Sequence, residues 1–398
     1  MKRFGFFGLA FLLLAACVFS PPLAPTPGLP TPQVTIITSV PPTLTPSPTA
    51  TPTTEEWIYP YTIAGLRAHD YQVGKIKVGE VLEETDLFTR YAIEYPSDGL
   101  TITGMMQVPK VGKEPFPVIV MNHGFFSRAI YASGDGTDRA AEFLNRHGYL
   151  TLSPDYRSWG DSDVGTSLFY SGLVIDVINL LDAIPSIPQA DAERIGMWGH
   201  SMGGGVTLKV LTVNAGRVAP PAPVASWTNT RTGQAQASGA SKRIESMPAI
   251  KAAVLYSTVS ADDVDIIDRW GPGCVGDFIE GERLYGCNSS DILPLDLPPG
   301  LIQAYKDTSK DPNLLKQVAA LHYLDDVTAP VQISYGTEDG KLFSGAPPEW
   351  SQKAYQAFVE AGKQAELFAY EGEGHSFVED QWWAFMERSA HFFDTYVK

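Results

Sequence analysis

The residues of this 398-residue chain whose types and spacing could do chemistry begin with Ser201. It stands in Gly199-His200-Ser201-Met202-Gly203-Gly204, after the short apolar run Arg194 to Trp198 and before Val206 to Asn214, whose composition is helical. A serine on a strand-to-helix turn, with small neighbours that let the two elements approach, fits the G-x-S-x-G pattern in which a sharp turn exposes the hydroxyl as a nucleophile. A glycine-rich turn carrying an ordinary serine fits the same five residues. The two readings separate on whether the chain also supplies a base for the hydroxyl, an acid to orient that base, and donors for an oxyanion. His375 lies in Gly372-Glu373-Gly374-His375-Ser376-Phe377 and Asp339 in Gly336-Thr337-Glu338-Asp339, each in a loop directly after an expected strand. Glu338 is the rival acid, but the shorter aspartate holds an imidazole more tightly.

These side chains need rigid supports, and the hydrophobic pattern provides them. Phe88 to Tyr95 and Leu100 to Val108 read as strands joined by Pro96-Ser97-Asp98-Gly99, an antiparallel hairpin at a sheet edge. Pro117 to Asn122 is a continuous apolar run suited to a central parallel strand and leads into His123-Gly124-Phe125. Helix around Asp138 to His147, strand Tyr149 to Ser153, helix around Leu168 to Ile184 and strand Arg194 to Trp198 follow in alternation. Further strands are expected at Ala249 to Ser257, Pro330 to Tyr335 and Ala365 to Tyr370, with helices near Glu349 to Glu360 and Gln381 to Tyr396. The fold class is therefore α/β: a mostly parallel central sheet with helices on both faces.

Two stretches break the rhythm. Arg217 to Met247, rich in Pro, Ala, Ser, Thr and Gly, reads as a surface excursion. Residues 258–327 form an insertion with turn signals, the aromatics Trp270, Phe278, Tyr285 and Tyr305, and two cysteines, which reads as an ordered cap over the site.

The N-terminus reads as an export signal. Lys2-Arg3 precedes the apolar run Phe4 to Ala16, too short to span a bilayer as a mature helix, and Leu14-Ala15-Ala16-Cys17 resembles a bacterial lipobox whose cysteine receives lipid. Residues 1–17 are thus expected to be a lipoprotein-type signal and 18–54, dominated by proline and threonine, an extended tether to a membrane. A soluble secreted protein with Cys17 inside the leader is the alternative. Residues 55–86 carry no pattern strong enough to assign, and 87–398 is read as the catalytic domain. Cys274 and Cys287 remain as a pair that an oxidising compartment would join, closing a loop worth about 3 kcal/mol, although two free thiols fit the same count. The net charge of −16 repels phosphate backbones and argues against a nucleic-acid partner.

From about Phe88 to Lys398 the ordered motifs resemble an α/β-hydrolase, in particular the branch of prolyl-oligopeptidase-type catalytic domains, dienelactone hydrolases and acyl esterases. They are the hairpin, Asn122-His123-Gly124-Phe125, Pro154-Asp155-Tyr156-Arg157 with Gly160, GHSMGG, Gly336-Thr337-Glu338-Asp339 and Gly374-His375-Ser376-Phe377. The resemblance implies Ser201 as nucleophile, His375 as base and then acid, and Asp339 as the orienting acid. It also implies the backbone N–H groups of Phe125 and Met202 as oxyanion donors, each contributing on the order of 3 kcal/mol. His123 and His200 read as structural, and His69, His147, His322 and His391 as fillers. Asp135 and Asp138 lack the twelve-position pattern of a calcium loop, and no metal or cofactor motif occurs, so none is expected.

The substrate reading is an ester. Residues 55–86 are too few for a β-propeller, whose blades need about forty residues each, and His-Gly-Phe-Phe departs from the His-Gly-Gly of many related peptidases. An alkoxide leaves more easily than an amine, so the expectation is a carboxylic-ester hydrolase acting on a small acyl ester, with a peptidase for short peptides as the alternative. A surface-tethered binding protein on a degenerate fold would have lost one of the three reactive residues, and all are present.

Overall fold

The computed structural model describes residues 51–217, 247–276 and 297–398. Cys17, the excursion over 218–246, and Cys287 with the rest of 277–296 lie outside the described residues, and with them the expected lipid site and one half of the expected Cys274–Cys287 pair. The described residues belong to one unit, Thr51 to Lys398.

Thr53 opens that unit with a capping box: its hydroxyl accepts from Glu56 N (3.2 Å) and Glu56 returns a carboxylate to Thr53 N (2.7 Å). The short helices α1 (Thr54–Ile58) and α2 (Ile63–Arg67) bury Ile58, Ile63 and Leu66 completely. Then come β1 (Lys77–Glu84), β2 (Phe88–Ser97) and β3 (Leu100–Pro109). The turn between β2 and β3 is the two residues Asp98 and Gly99, with φ of 52° and 79°, the left-handed pair that matches strand twist in a tight hairpin.

The hairpin is not the sheet edge. β1 pairs antiparallel with β2 and takes that place, exposed along its whole length and tied by Lys77 to Glu94 (2.5 Å), Arg90 to Glu83 (2.7 Å) and Lys110 to Glu84 (2.9 Å). Its sequence, KVGEVLEE, has no buried face and hence no alternation to read.

The alternating part runs β4 (Phe116–Asn122), α3 (Asp138–Arg146), β5 (Leu150–Pro154), α4 (Ser171–Ala183), β6 (Ala190–His200), α5 (Met202–Ala215) and β7 (Ile250–Tyr256). The insertion contributes α6 (Asp263–Trp270), α7 (Pro299–Thr308) and α8 (Pro312–Val318) before β8 (Val331–Gly336), α9 (Pro348–Glu360), β9 (Ala365–Tyr370) and α10 (Glu379–Tyr396). The nine strands lie in the order β1-β2-β3-β5-β4-β6-β7-β8-β9, and every pair from β5 to β9 is parallel.

Strand alternation divides the interior in two. Val118 and Val120 of β4 and Ile195 and Met197 of β6 face one core with α4, α5 and α9, while Ile119, Met121 and Trp198 face the other with α3 and α10. The segment Leu168–Ser186 is apolar enough to cross a membrane, yet 89% of it is buried, which makes it a core helix. Its start differs from expectation, because Phe169 and Tyr170 take φ of 54° and 61° and the regular helix begins only at Ser171. In the insertion, α7 packs on α1 and α8 on α6 and α2. Between them, the Tyr170 hydroxyl donates to Cys274 O (2.5 Å).

Candidate active site

β6 and α5 are separated by Ser201 alone, which adopts φ 55° and ψ −122°. A non-glycine residue in such a region costs on the order of 1–3 kcal/mol and persists only where its neighbours enforce it. Here Ser201 N donates to Tyr256 O (3.0 Å), and Ser201 O accepts from Gly204 N (2.9 Å) and Val259 N (3.2 Å). The two glycines of the pattern are required by space: a Cβ on Gly199 would lie 2.3 Å from Gly203 O, and one on Gly203 would lie 2.0 Å from Asn122 O.

His375 follows β9 in the loop before α10. Its Nε2 is 2.8 Å from Ser201 Oγ, and its Nδ1 is 3.0 and 3.1 Å from the two carboxylate oxygens of Asp339. The Asp339 side chain is fully buried and also accepts from Gly340 N (2.7 Å). Glu338 points elsewhere, pairing with Lys341 at the surface, so the structure brings Asp339 and not Glu338 to the imidazole. The loops carrying the two groups are joined through their main chains: Glu338 N donates to Glu373 O (2.9 Å) and Thr337 N to Tyr370 O (3.0 Å).

His200 bonds the loop that carries His375. Its Nε2 lies 2.9 Å from the main-chain oxygen of His375, which can only accept, so that nitrogen carries the proton. The ring stacks on Tyr256 at 4.4 Å. Burial, and secondly the neighbouring His375, pull its pKa down to about 3, so it stays a neutral donor.

The loop after β4 is fixed by buried polar groups. Asn122 Nδ2 donates to Thr207 Oγ1 (2.8 Å), and His123 lies between Tyr131 and Tyr156 with Nε2 3.1 Å from Asp155 O and Nδ1 2.7 Å from Gly124 O. Burial lowers the His123 pKa. Asp155 accepts from Ser133 (2.5 Å), Thr103 (2.6 Å) and Tyr131 (2.9 Å), and burial nevertheless raises its carboxyl. This network holds Gly124 against Ser201, where an added Cβ would sit 3.2 Å from the serine Cβ. Phe125 follows immediately, and Met202 is the first residue of α5, whose N–H has no intrahelical acceptor. Of the two expected donors, Met202 thus follows Ser201 at the start of α5 and Phe125 follows the glycine packed on Ser201.

Sequence reasoning left Asp155, Tyr131 and the pair Arg157–Asp176 without roles. Arg157 Nη2 donates to Asp176 of α4 at 2.8 Å and its backbone N donates to the same carboxylate at 2.8 Å, with both side chains buried. The run Pro154-Asp155-Tyr156-Arg157 was the available signal, but its partners lie far along the chain. Asp135 serves a turn, accepting from Ala132 N (2.9 Å). Among the described residues no group of three His, Cys, Asp or Glu is arranged to hold a metal ion.

Comparison with known proteins places this geometry in context. The family model described as "Alpha/beta hydrolase family" matches residues 118–388. The lysophosphatidylserine lipase ABHD12 of Xenopus tropicalis is 35% identical over 106 residues, 27% of this chain and 26% of that protein. The chain thus spans about a quarter of the length of such curated relatives. Among solved structures, an acetyl xylan esterase from Paenibacillus sp. R4 superposes with a TM-score of 0.54 at 15% identity, covering 88% of this chain and 96% of that one. The acylaminoacyl peptidase of Pyrococcus horikoshii gives 0.54 at 17% identity, covering 79% of this chain and 43% of that one. At these identities the likeness is one of fold.

Proposed function

Because the chain belongs to the alpha/beta hydrolase family, we propose that it is a serine hydrolase of carboxylic esters, with Ser201 as nucleophile, His375 as general base and acid, and Asp339 as the orienting acid. One observation carries the reading: an unbroken hydrogen-bonded path from Ser201 Oγ through the His375 ring to a fully buried carboxylate, at 2.8 and 3.0 Å.

In this mechanism Ser201 Oγ attacks the ester carbonyl carbon while its proton passes to His375 Nε2. Asp339, bonded to Nδ1–H, fixes the tautomer and stabilises the imidazolium. The carbonyl oxygen, now negative, receives the N–H groups of Met202 and Phe125. As the carbonyl re-forms, the alcohol leaves with the proton from Nε2 and an acyl-serine remains. Water, deprotonated by His375, then attacks that acyl group, releasing the acid and restoring the Ser201 hydroxyl. The fold is shared by esterases and peptidases, so the preference for esters rests on the better leaving group.

The test is hydrolysis of short p-nitrophenyl esters by wild type and Ser201→Ala, together with labelling by a fluorophosphonate. Activity should fall at least about a thousandfold in the variant, and the label should be found on Ser201. Absence of an adduct on the folded protein would refute the nucleophile. Faster turnover of aminoacyl anilides than of esters would replace the esterase by a peptidase.

A further inference from the structure

A cavity adjoins the groups just described. Of about 440 Å³, within the range of small-molecule sites, it opens between the first turn of α3 and the start of α10. Its lining combines the aromatic side chains of Phe126, Tyr256 and Trp382 with the charged ones of Asp138, Arg139 and Glu142. Ser201 is not among the lining residues, but His200, which precedes it, and Ser376, which follows His375, both are.

One polar group in this lining lacks an ion-pair partner among the described residues. Arg139 is exposed and holds its guanidinium 3.6 Å from the centre of the Trp382 ring, and among the described residues no carboxylate pairs with it. Two carboxylates share the lining with it: Glu142, which is bonded to Arg90 (3.1 Å), and Asp138, whose carboxyl is raised by burial.

From these observations we infer that the cavity binds an aromatic carboxylate, its carboxylate on Arg139 and its ring among Trp382, Tyr256 and Phe126, at a site separate from Ser201 Oγ. A guanidinium packed on an indole is pre-ordered, so it can meet a planar anion with little loss of side-chain freedom. Because His200 forms part of the wall and also bonds the main chain of His375, the bound ligand touches a residue that positions the proposed base.

The test is made on the Ser201→Ala protein, so that binding is read without turnover. Benzoate and its neutral analogue benzamide are titrated by calorimetry and tryptophan fluorescence. Benzoate should bind saturably and at least tenfold more tightly than benzamide, and adding Arg139→Gln should remove that difference while the melting temperature is unchanged. The single variant Arg139→Gln should hydrolyse p-nitrophenyl acetate like wild type. Equal affinities for the two probes, an Arg139→Gln protein that keeps its benzoate affinity, or no saturation up to about 10 mM would each overturn the site. None of these results bears on the esterase reading, which stands or falls on Ser201.

Discussion

Acidification should charge His200 against the structure that surrounds it. The ring is held neutral in the folded protein, with a pKa lowered from 6.5 to about 3 by burial and by the adjacent His375, whereas in the unfolded chain it titrates near 6.5. Between those values the unfolded state binds the extra proton, so stability falls as the pH drops through 6.5 towards 3 and is flat above that window. At pH 4.5, two units below the unfolded value, the loss from this residue alone is about 2.7 kcal/mol. Glutamine at the position cannot titrate and keeps an N–H for the His375 carbonyl, so His200→Gln should lack this component while sharing every other titration, including that of His123. Urea unfolding of both proteins at pH 7.5 and 4.5 isolates it as a double difference. With a slope near 3 kcal/mol/M, the wild-type midpoint should fall by about 0.9 M more than that of the variant. An equal fall in both would show that His200 does not stay neutral on folding and would remove the basis for its role as a fixed donor to the base-bearing loop.

Two further comparisons test the geometry of the site itself. Asp339→Asn should reduce kcat on a short ester by about 10⁴-fold with folding intact, and Glu338→Gln should change it only a few-fold; the reverse ranking would overturn the assignment of the acid. Gly203→Ala places a Cβ 2.0 Å from Asn122 O and 2.5 Å from His123 O, so main chain must move on both sides. It should cost on the order of 1–3 kcal/mol in melting experiments and about a hundredfold in turnover. Gly374→Ala, immediately before His375, meets nothing within 4 Å and should stay within about 0.5 kcal/mol of wild type. Equal damage by the two alanines would mean that proximity to His375, rather than available space, governs tolerance.

What could be read from the sequence follows from which forces leave a local trace. Buried parallel strands such as Pro117 to Asn122 are unbroken apolar runs, and Gly199 is imposed by Gly203 O, four residues on, so both were visible, whereas Gly203 is imposed by Asn122 on another strand. Residues 77–84 form a strand whose two faces are wet; its stabilisation comes from hydrogen bonds to β2 and ion pairs across strands, which leave no periodicity. The helices of residues 54–67 are five residues each, too short for a helical period, and are held by packing on α5 and α7. Within the site, types and order exposed Ser201, Asp339 and His375. The support of His123 by Asp155, and of Arg157 by Asp176, arises between segments whose proximity only the fold creates.

The position of His375 illustrates how much of the site is determined by main chain. Its ring reaches Ser201 because the loop of 371–378 lies against the end of β8. A Cβ on Gly336 would be 2.2 Å from Glu373 O, Glu338 N bonds that same oxygen, and His200 bonds the oxygen of His375 itself. Carbonyl oxygens are present whatever the side chain, so this loop can vary in sequence while keeping its path, provided the groups that hold it are unchanged. Gly336 and His200 are two of those groups, and both lie outside the loop. Substitutions that displace the base should therefore concentrate at the ends of β6 and β8 rather than in residues 371–374.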